Sequence, residues 1–424
     1  MVKLSGWGLL NSDEQEIRPF IAPSQTKQRG IAFGLGRSYG DCALNPSGLV
    51  WLTTYLNKLI AFDQTTGILT VEAGVSIKEI QDLFVPQGWA LPVTPGTEFI
   101  TIGGAIANDV HGKSHHMDGS FSDHVTELTL VRTDGQTIVC SETENPDWFW
   151  ASVGGIGLTG MITSAQLQLR KIPGPWLASE TLTFGNIDEF FEISRESQTW
   201  ENSVSWIDCV GTSGRGLFMR GNRSANVGKV KKIGNGPSIP FTPPLSLVNG
   251  LSLRIFNSLY FRMNSMKPSQ NLQHYKSYFY PLDGIHNWNR MYGPRGFYQY
   301  QSLIPPENAS EATKEMLKEI SRSGEGSFLA VLKSFGERSS RGLLGFPGPG
   351  VTLALDFPNR GESTAKLFTQ LDSIVRGAQG KLYLAKDARM TQTFFAATYP
   401  RIEEFLKFRD PGISSSMSQR LLGS

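Results

Sequence analysis

Three glycine clusters, each set beside a run of strand-forming residues, constrain this chain more than any other feature. The first is Gly34-Leu35-Gly36-Arg37-Ser38-Tyr39-Gly40-Asp41, after the apolar run Ile31-Ala32-Phe33. Glycines here leave no side chain above the backbone, so successive N–H groups can line a concave nest for an anion such as a pyrophosphate. The stretch is neither a Walker loop nor a G-x-G-x-x-G fingerprint, and alone it is equally compatible with a plain turn. The second cluster is Pro95-Gly96-Thr97, then Ile102-Gly103-Gly104-Ala105-Ile106-Ala107-Asn108. It predicts a helix start almost free of side-chain bulk, whose open N–H groups favour a phosphate or an electron-rich ring edge. Tight packing on a sheet accounts for two such small residues, not for four. The third cluster, Gly154-Gly155-Ile156-Gly157-Leu158-Thr159-Gly160, runs into the strand-like Met161-Ile162.

Three such clusters inside about 130 residues imply one extended ligand touched by backbone throughout. FAD has that shape: a pyrophosphate for the first nest, a flavin ring for the second, and ribityl or adenine contacts for the third. Between the second and third clusters stands His111-Gly112-Lys113-Ser114-His115-His116. Three histidines raise the question of a metal. Gly112 and Ser114 disfavour the helix that would bring His111 and His115 together, and no carboxylate stands at a zincin spacing. We therefore expect no metal, and a polar pocket lining in which Lys113 offers a point charge.

The rest of the chain sets the frame. At 424 residues two domains are expected, and Lys+Arg 40 against Asp+Glu 38 gives no bulk charge for nucleic acid. Cys42, Cys140 and Cys209 are too scattered for a disulfide framework. No signal-peptide core and no membrane-spanning run is found, so a cytoplasmic or peripheral membrane location is expected. Strands are read at 68–73, 126–131, 137–140 and 161–169. A capping box at Ser76-Ile77-Lys78-Glu79 opens a helix with Ile77, Ile80, Leu83 and Phe84 on one face. Pro173-Gly174-Pro175 marks a boundary. Beyond it, strands at 203–209, 216–220, 328–333 and 352–356 and helices at 309–320 and 363–375 predict an α+β domain whose sheet walls a site. Residues 223–244, with Lys229, Lys231 and Lys232, read as a mobile basic loop. Residues 247–266 read as a core segment or as a membrane-touching surface.

The three clusters, together with Thr101-Ile102-Gly103-Gly104 and the histidine run, resemble the FAD-binding half of the vanillyl-alcohol-oxidase (PCMH-type) flavoproteins. Gly119-Ser120-Phe121, Tyr292-Gly293-Pro294, Gln299-Tyr300-Gln301, Lys333-Ser334-Phe335-Gly336, Leu355-Asp356-Phe357-Pro358 and Ala385-Lys386-Asp387-Ala388-Arg389 extend the resemblance, nearly end to end, to that family's decaprenylphosphoryl-ribose oxidase branch. The resemblance implies a PCMH-type FAD-binding domain of two subdomains, residues 1–174 with 381–424 returning to it. It also implies an inserted α+β substrate domain, 175–380, on an antiparallel sheet.

It further implies FAD-dependent oxidation of a secondary sugar hydroxyl, on a polyprenyl-phosphate-linked pentose. Hydride passes to flavin N5, and a separate nicotinamide-dependent reductase completes an epimerisation. A soluble aldose, alditol or aldonolactone oxidase of the same superfamily is the alternative. Carried over residue by residue, Lys386, Tyr39 and His111 are the catalytic candidates. The cofactor would meet residues 34–41, Pro95, Gly96, Thr97, Ile102, Gly103, Gly104, Ala107, Asn108, His111, Gly112, Ser120, Gly157, Gly160, Ile162 and Lys386. The substrate would meet Lys113, Tyr292, Gln299, Gln301, Lys333, Phe335, Thr352, Ala354 and Lys386. Gln299 and Gln301 alternate with Tyr300 and so can share one face of a strand. Three departures stand out. Arg37 occupies the place of the linking histidine of covalent members, implying non-covalent FAD. Ala354 and Thr352 replace a pocket cysteine and an asparagine. The segment from Trp7 to Gly30 is short, implying a trimmed helix.

Overall fold

The computed structural model of the chain describes residues 2–10, 13–19, 28–46, 48–211, 213–228 and 236–423. Lys229, Lys231 and Lys232 of the expected basic loop lie outside them. Apolar alternation builds three main sheets. Val125–Val131 and Thr137–Ser141 pair antiparallel with Val131 opposite Thr137, so the Thr133-Asp134-Gly135 turn closes a hairpin. Met161–Gln168 joins that hairpin to Ile68–Glu72 and Leu59–Asp63 in a five-stranded antiparallel sheet. A four-stranded sheet orders Val2–Leu4, Asp13–Pro19, Leu49–Leu52 and Gly30–Phe33, the last three parallel. The short segment after Trp7 thus contributes an inner strand.

The expected capping box is present. The Ser76 hydroxyl accepts from the Glu79 N–H, and the Glu79 carboxylate accepts from the Ser76 N–H, opening helix Ile77–Phe84. Ile77, Ile80 and Phe84 are buried, but Leu83 is 44% exposed. The buried stripe turns through Gln81 instead, whose amide reaches the Tyr280 hydroxyl and the Leu91 N–H.

The third sheet has eight strands, all antiparallel: Gln270–His274, Trp176–Phe184, Gly216–Ser224, Asn202–Ile207, Val331–Phe335, Gly350–Pro358, Phe297–Ile304 and Lys381–Leu382. The strand expected at 328–333 starts later, at Val331, because the Phe328 carbonyl is taken by the Trp206 indole N–H at 2.9 Å. Helices Ala309–Ser323 and Glu362–Gly377 cover one face, packing Met316, Ile320, Leu367 and Leu371 in one apolar cluster with Leu332, Leu353, Leu355 and Phe357. Alternation sends the neighbours of these strand residues to the other face. That face carries Gln299, Gln301, Lys333, Thr352, Ala354 and Asp356. Register aligns Gln299 with Asp356, Gln301 with Ala354, and Thr352 with Lys333.

Residues 247–266 are not a core segment. They form helix Gly250–Ser265, in which Leu253 and Asn257 are buried while Leu251, Ile255, Leu259 and Met263 face outward. After Lys381–Leu382 the chain returns to the strand that leads into the first glycine cluster: the Gly30 N–H donates to Gly412 O at 3.0 Å and the Ser414 N–H to Gly30 O at 2.9 Å.

Candidate active site

The three glycine clusters converge. A Cβ on Gly34 would lie 2.5 Å from Thr101 Oγ1, so the first loop sits directly on the N-cap of helix Ile102–Ala107. The other end of that helix receives the third cluster, through Gly154 N–H to Ile106 O (3.0 Å) and Ile156 N–H to Ala107 O (2.8 Å). Gly157 has φ 75°, and a Cβ there would meet only Ile31 Cδ1, at 3.8 Å. Gly160 then leads into Met161 and Ile162 of the five-stranded sheet. The chain's C-terminal part closes the ring: Tyr39 N–H donates to Ala385 O at 3.0 Å, and a Cβ on Gly40 would fall 1.7 Å from Asp387 O.

Two local features fit an elongated anionic cofactor. The N–H groups of residues 34–38 donate to no partner among the described residues, and Gly36 has φ 64°. That is the makeup of an anion nest. Gly96 is exposed and has no atom within 4 Å of the place a Cβ would take. Arg37 Nε is buried without a partner, while its guanidinium lies 4.0 Å over the Trp7 ring.

Two expectations need correction. The first N–H groups of helix Ile102–Ala107 are not free: Ile102 donates to Val75 O, Gly103 to Ala73 O, and Gly104 to Thr101 Oγ1. Gly103 serves close packing, since its Cβ would lie 3.1 Å from that of Ala73. The Asp41 carboxylate is also already engaged. It is held by Arg420 at 2.8 Å, and Arg420 also binds Asp387 at 3.0 Å. A carboxylate bordering an anion nest is tolerable when a cation neutralises it.

The inner face of the eight-stranded sheet brings together two polar chains. In one, Lys386 Nζ sits 3.9 Å over the Tyr39 ring, and Gln299, within reach of the Tyr39 hydroxyl, donates from Nε2 to Asp356 Oδ1 at 2.6 Å. Asp356 Oδ2 is buried and unpartnered. Burial raises the Asp356 carboxyl; burial lowers Lys386, and the attraction of Asp356 partly restores it. In the second chain, Gln301 Nε2 lies 3.0 Å from Thr352 Oγ1 and 2.9 Å from His111 Nε2. The amide nitrogen is donor-only, so His111 accepts at Nε2 and holds its proton at Nδ1, a buried atom with no partner. Burial among Phe335, Phe346 and Tyr383 keeps this imidazole neutral.

The other expected residues sit as follows. Lys333 Nζ reaches Gly112 O at 3.5 Å, and burial lowers it to about 8. Lys113 is bound to the carbonyls of Tyr278 and Phe279, with burial lowering it to about 7. Tyr292 stacks on Phe297 at 4.1 Å, in the aromatic cluster that Tyr39 joins at its edge. Phe335 stacks on His115 at 4.0 Å. Asn108 caps its own helix at Gly104 O, and its carbonyl accepts from the Tyr383 hydroxyl at 2.7 Å. Ser120 bonds to Ser122 beside buried Asp109. The three histidines part company: His115 accepts from Gly336 N–H, and His116 bonds to Trp200 O. Among the described residues no group of His, Cys, Asp and Glu is arranged to hold a metal.

Sequence reasoning missed Asp356 and Tyr383 as site residues. Period-two alternation held the signal for the first: two residues past Thr352 and Ala354 on the same strand face is Asp356.

A family profile described as "FAD binding domain" matches residues 12–141. The chain is 28% identical to L-gulonolactone oxidase of Mus musculus over 36% of this chain and 34% of the relative. It is 27% identical to L-gulonolactone oxidase 2 of Arabidopsis thaliana over 48% and 35%. Both likenesses are partial. By contrast, it is 34% identical to decaprenylphosphoryl-beta-D-ribose oxidase of Mycolicibacterium smegmatis over 99% of this chain and 97% of the relative. The likeness therefore spans the sheet wall as well as the glycine nest, and the chain belongs to the family of decaprenylphosphoryl-beta-D-ribose oxidase.

Proposed function

We propose that this chain is an FAD-dependent oxidoreductase that oxidises a secondary hydroxyl of a pentose carried on a polyprenyl phosphate, giving a keto-sugar. The supporting observation is the pairing of an undonated glycine nest with a wall of two polar chains, Lys386–Tyr39–Gln299–Asp356 and His111–Gln301–Thr352. Bound FAD supplies the acceptor for the hydride that leaves the carbinol carbon. Residues 34–38 would hold its pyrophosphate, and the strip from Gly96 to His111 its ring. Arg37 has no imidazole to form a histidyl–flavin link, so the cofactor is held non-covalently. Residues 1–174 with 381–424 form the cofactor domain, its two subdomains built on the four- and five-stranded sheets, and 175–380 form the substrate domain.

Lys386 takes the hydroxyl proton. Burial makes its amine available without strong base, and Asp356 stabilises the ammonium that results. Gln301, oriented by Thr352 and neutral His111, positions the sugar. Lys333 offers positive charge for the substrate's phosphate. The keto-sugar then passes to a separate nicotinamide-dependent reductase.

The test is anaerobic mixing of the flavin-loaded protein with polyprenyl-phosphoryl pentoses, free aldoses, alditols and aldonolactones. Bleaching of the flavin by the lipid-linked pentose alone is the expected result. Bleaching by free lactones instead would select an aldonolactone oxidase. Lys386→Ala should retain FAD and lose turnover, and acid precipitation should release all the flavin.

A further inference from the structure

Helix Gly250–Ser265 inverts the usual pattern of a surface helix. Its buried stripe is Leu253 and Asn257, and Asn257 donates to Asp208. Its solvent side carries Leu251, Ile255, Leu259 and Met263, exposed 71, 53, 55 and 61%, with Met266 just beyond at 75%. The residues leading into the helix add Phe241, Leu245 and Leu247, all more than half exposed. An apolar patch of this extent needs a partner.

Charge identifies the partner. From Cys209 to Leu282 the sequence has no Asp or Glu, yet it holds Arg215, Arg220, Arg223, Lys229, Lys231, Lys232, Arg254, Arg262, Lys267 and Lys276. The chain as a whole is only +2. Within the patch, exposed Arg254, Arg262 and Lys267 form no ion pair with any described residue. An apolar stripe flanked by uncompensated cations matches a bilayer surface with anionic headgroups: the side chains enter the acyl boundary and the cations meet the phosphates. No helix among the described residues is long and apolar enough to cross a membrane, so this one would lie in the interface.

Position ties the patch to the site. Leu253 on the helix's inner edge packs with Val248, Trp288, Tyr292 and Phe297, the aromatic cluster that Tyr39 joins. Tyr260 packs against Trp206, whose strand pairs with Val331–Phe335 of the site wall. We infer that helix Gly250–Ser265 and residues 241–247 dock the enzyme on an anionic lipid surface and bring the active-site rim to the headgroup layer. The inference rests on the proposed lipid-linked substrate for its purpose, though not for its physical basis.

Flotation of the flavin-loaded protein with vesicles of phosphatidylcholine alone, and of phosphatidylcholine with phosphatidylglycerol, tests it. Strong binding is expected only with phosphatidylglycerol. Ile255→Ser with Leu259→Ser should weaken it by about tenfold or more. Arg254→Gln with Arg262→Gln should weaken it too, as should salt near 1 M, which shortens the Debye length to about 3 Å. All variants should keep the wild-type melting temperature, FAD content and flavin bleaching by a short-chain, soluble prenyl-phosphoryl pentose. Equal binding to both vesicle types, or binding indifferent to the Ile255/Leu259 change, overturns the docking surface. So does self-association of the wild type that those changes abolish, since the patch would then be a protein interface. Intact flotation without bleaching by any prenyl-phosphoryl pentose would overturn the substrate reading and leave the docking surface standing.

Discussion

Replacing Asp356 by asparagine tests the catalytic reasoning most directly. The carboxylate faces Gln299 across the sheet and acts on Lys386 through space. Asn keeps the shape and an oxygen for the Gln299 amide but removes the charge. Unit charges at ion-pair distance and an effective dielectric near 20 attract by about 4 kcal/mol, or about 3 pH units, which bounds the effect from above. Lys386 makes no ion-pair contact with Asp356 and keeps a minor part of its surface exposed, so the effect is reduced to about 1 unit. The sign follows from the chemistry. Asp356 stabilises the ammonium, so its loss lowers the Lys386 pKa further. If Lys386 is the base, the rate of flavin reduction rises with pH as its amine becomes neutral, and in Asp356→Asn that rise should begin about 1 unit lower. Lys333, which repels the same ammonium, is unchanged and cannot mimic the effect. The measurement is single-turnover flavin reduction from pH 5.5 to 9.5 with wild type and variant. A limb that stays in place, or moves to higher pH, refutes the assignment of Lys386 as base. A limb that disappears assigns it to the raised carboxyl of Asp356 itself.

Three further outcomes are expected. Gly96→Val should leave the melting temperature of the FAD-free protein unchanged, because nothing lies within 4 Å of its Cβ position, while weakening FAD by about tenfold or more; unaltered FAD affinity would move the cofactor off this strip. Arg420→Ala strands two buried carboxylates, Asp41 and Asp387, and should cost about 3–5 kcal/mol in chemical denaturation, so a loss below about 1 kcal/mol would show the triad to be incidental. Gln301→Leu leaves His111 and Thr352 without their shared donor and should slow flavin reduction by about tenfold or more while FAD titration is unaffected; equal losses in both would make it a cofactor residue instead.

Much of the site was written in local patterns. The glycine nest at 34–38, its neighbours at 95–108 and 154–160, and the Gln299/Gln301 alternation are short-range features. Backbone bulk and strand periodicity are set by adjacent residues, so a sequence displays them. The helix at 102–107 shows where that stops. Its small residues were visible, but whether its first N–H groups stayed free depended on Ala73 and Val75, which lie in the turn after the strand Ile68–Glu72. Leu83 was assigned to the wrong side for a related reason: the stripe that is buried depends on what packs against it, and here Tyr280, nearly 200 residues away, draws Gln81 inward.

The sequence by itself determined the kind of ligand and which strand faces carry polar groups, because these follow from side-chain size and a period of two. Only the tertiary structure decided that Asp356 stands opposite Gln299 within electrostatic reach of Lys386, that Arg420 neutralises Asp41, and that helix Gly250–Ser265 turns Leu251, Ile255, Leu259 and Met263 outward. Each is a meeting of segments distant in the chain, and the energy of a buried charge or an exposed apolar face is set by those neighbours rather than by the residue that carries it.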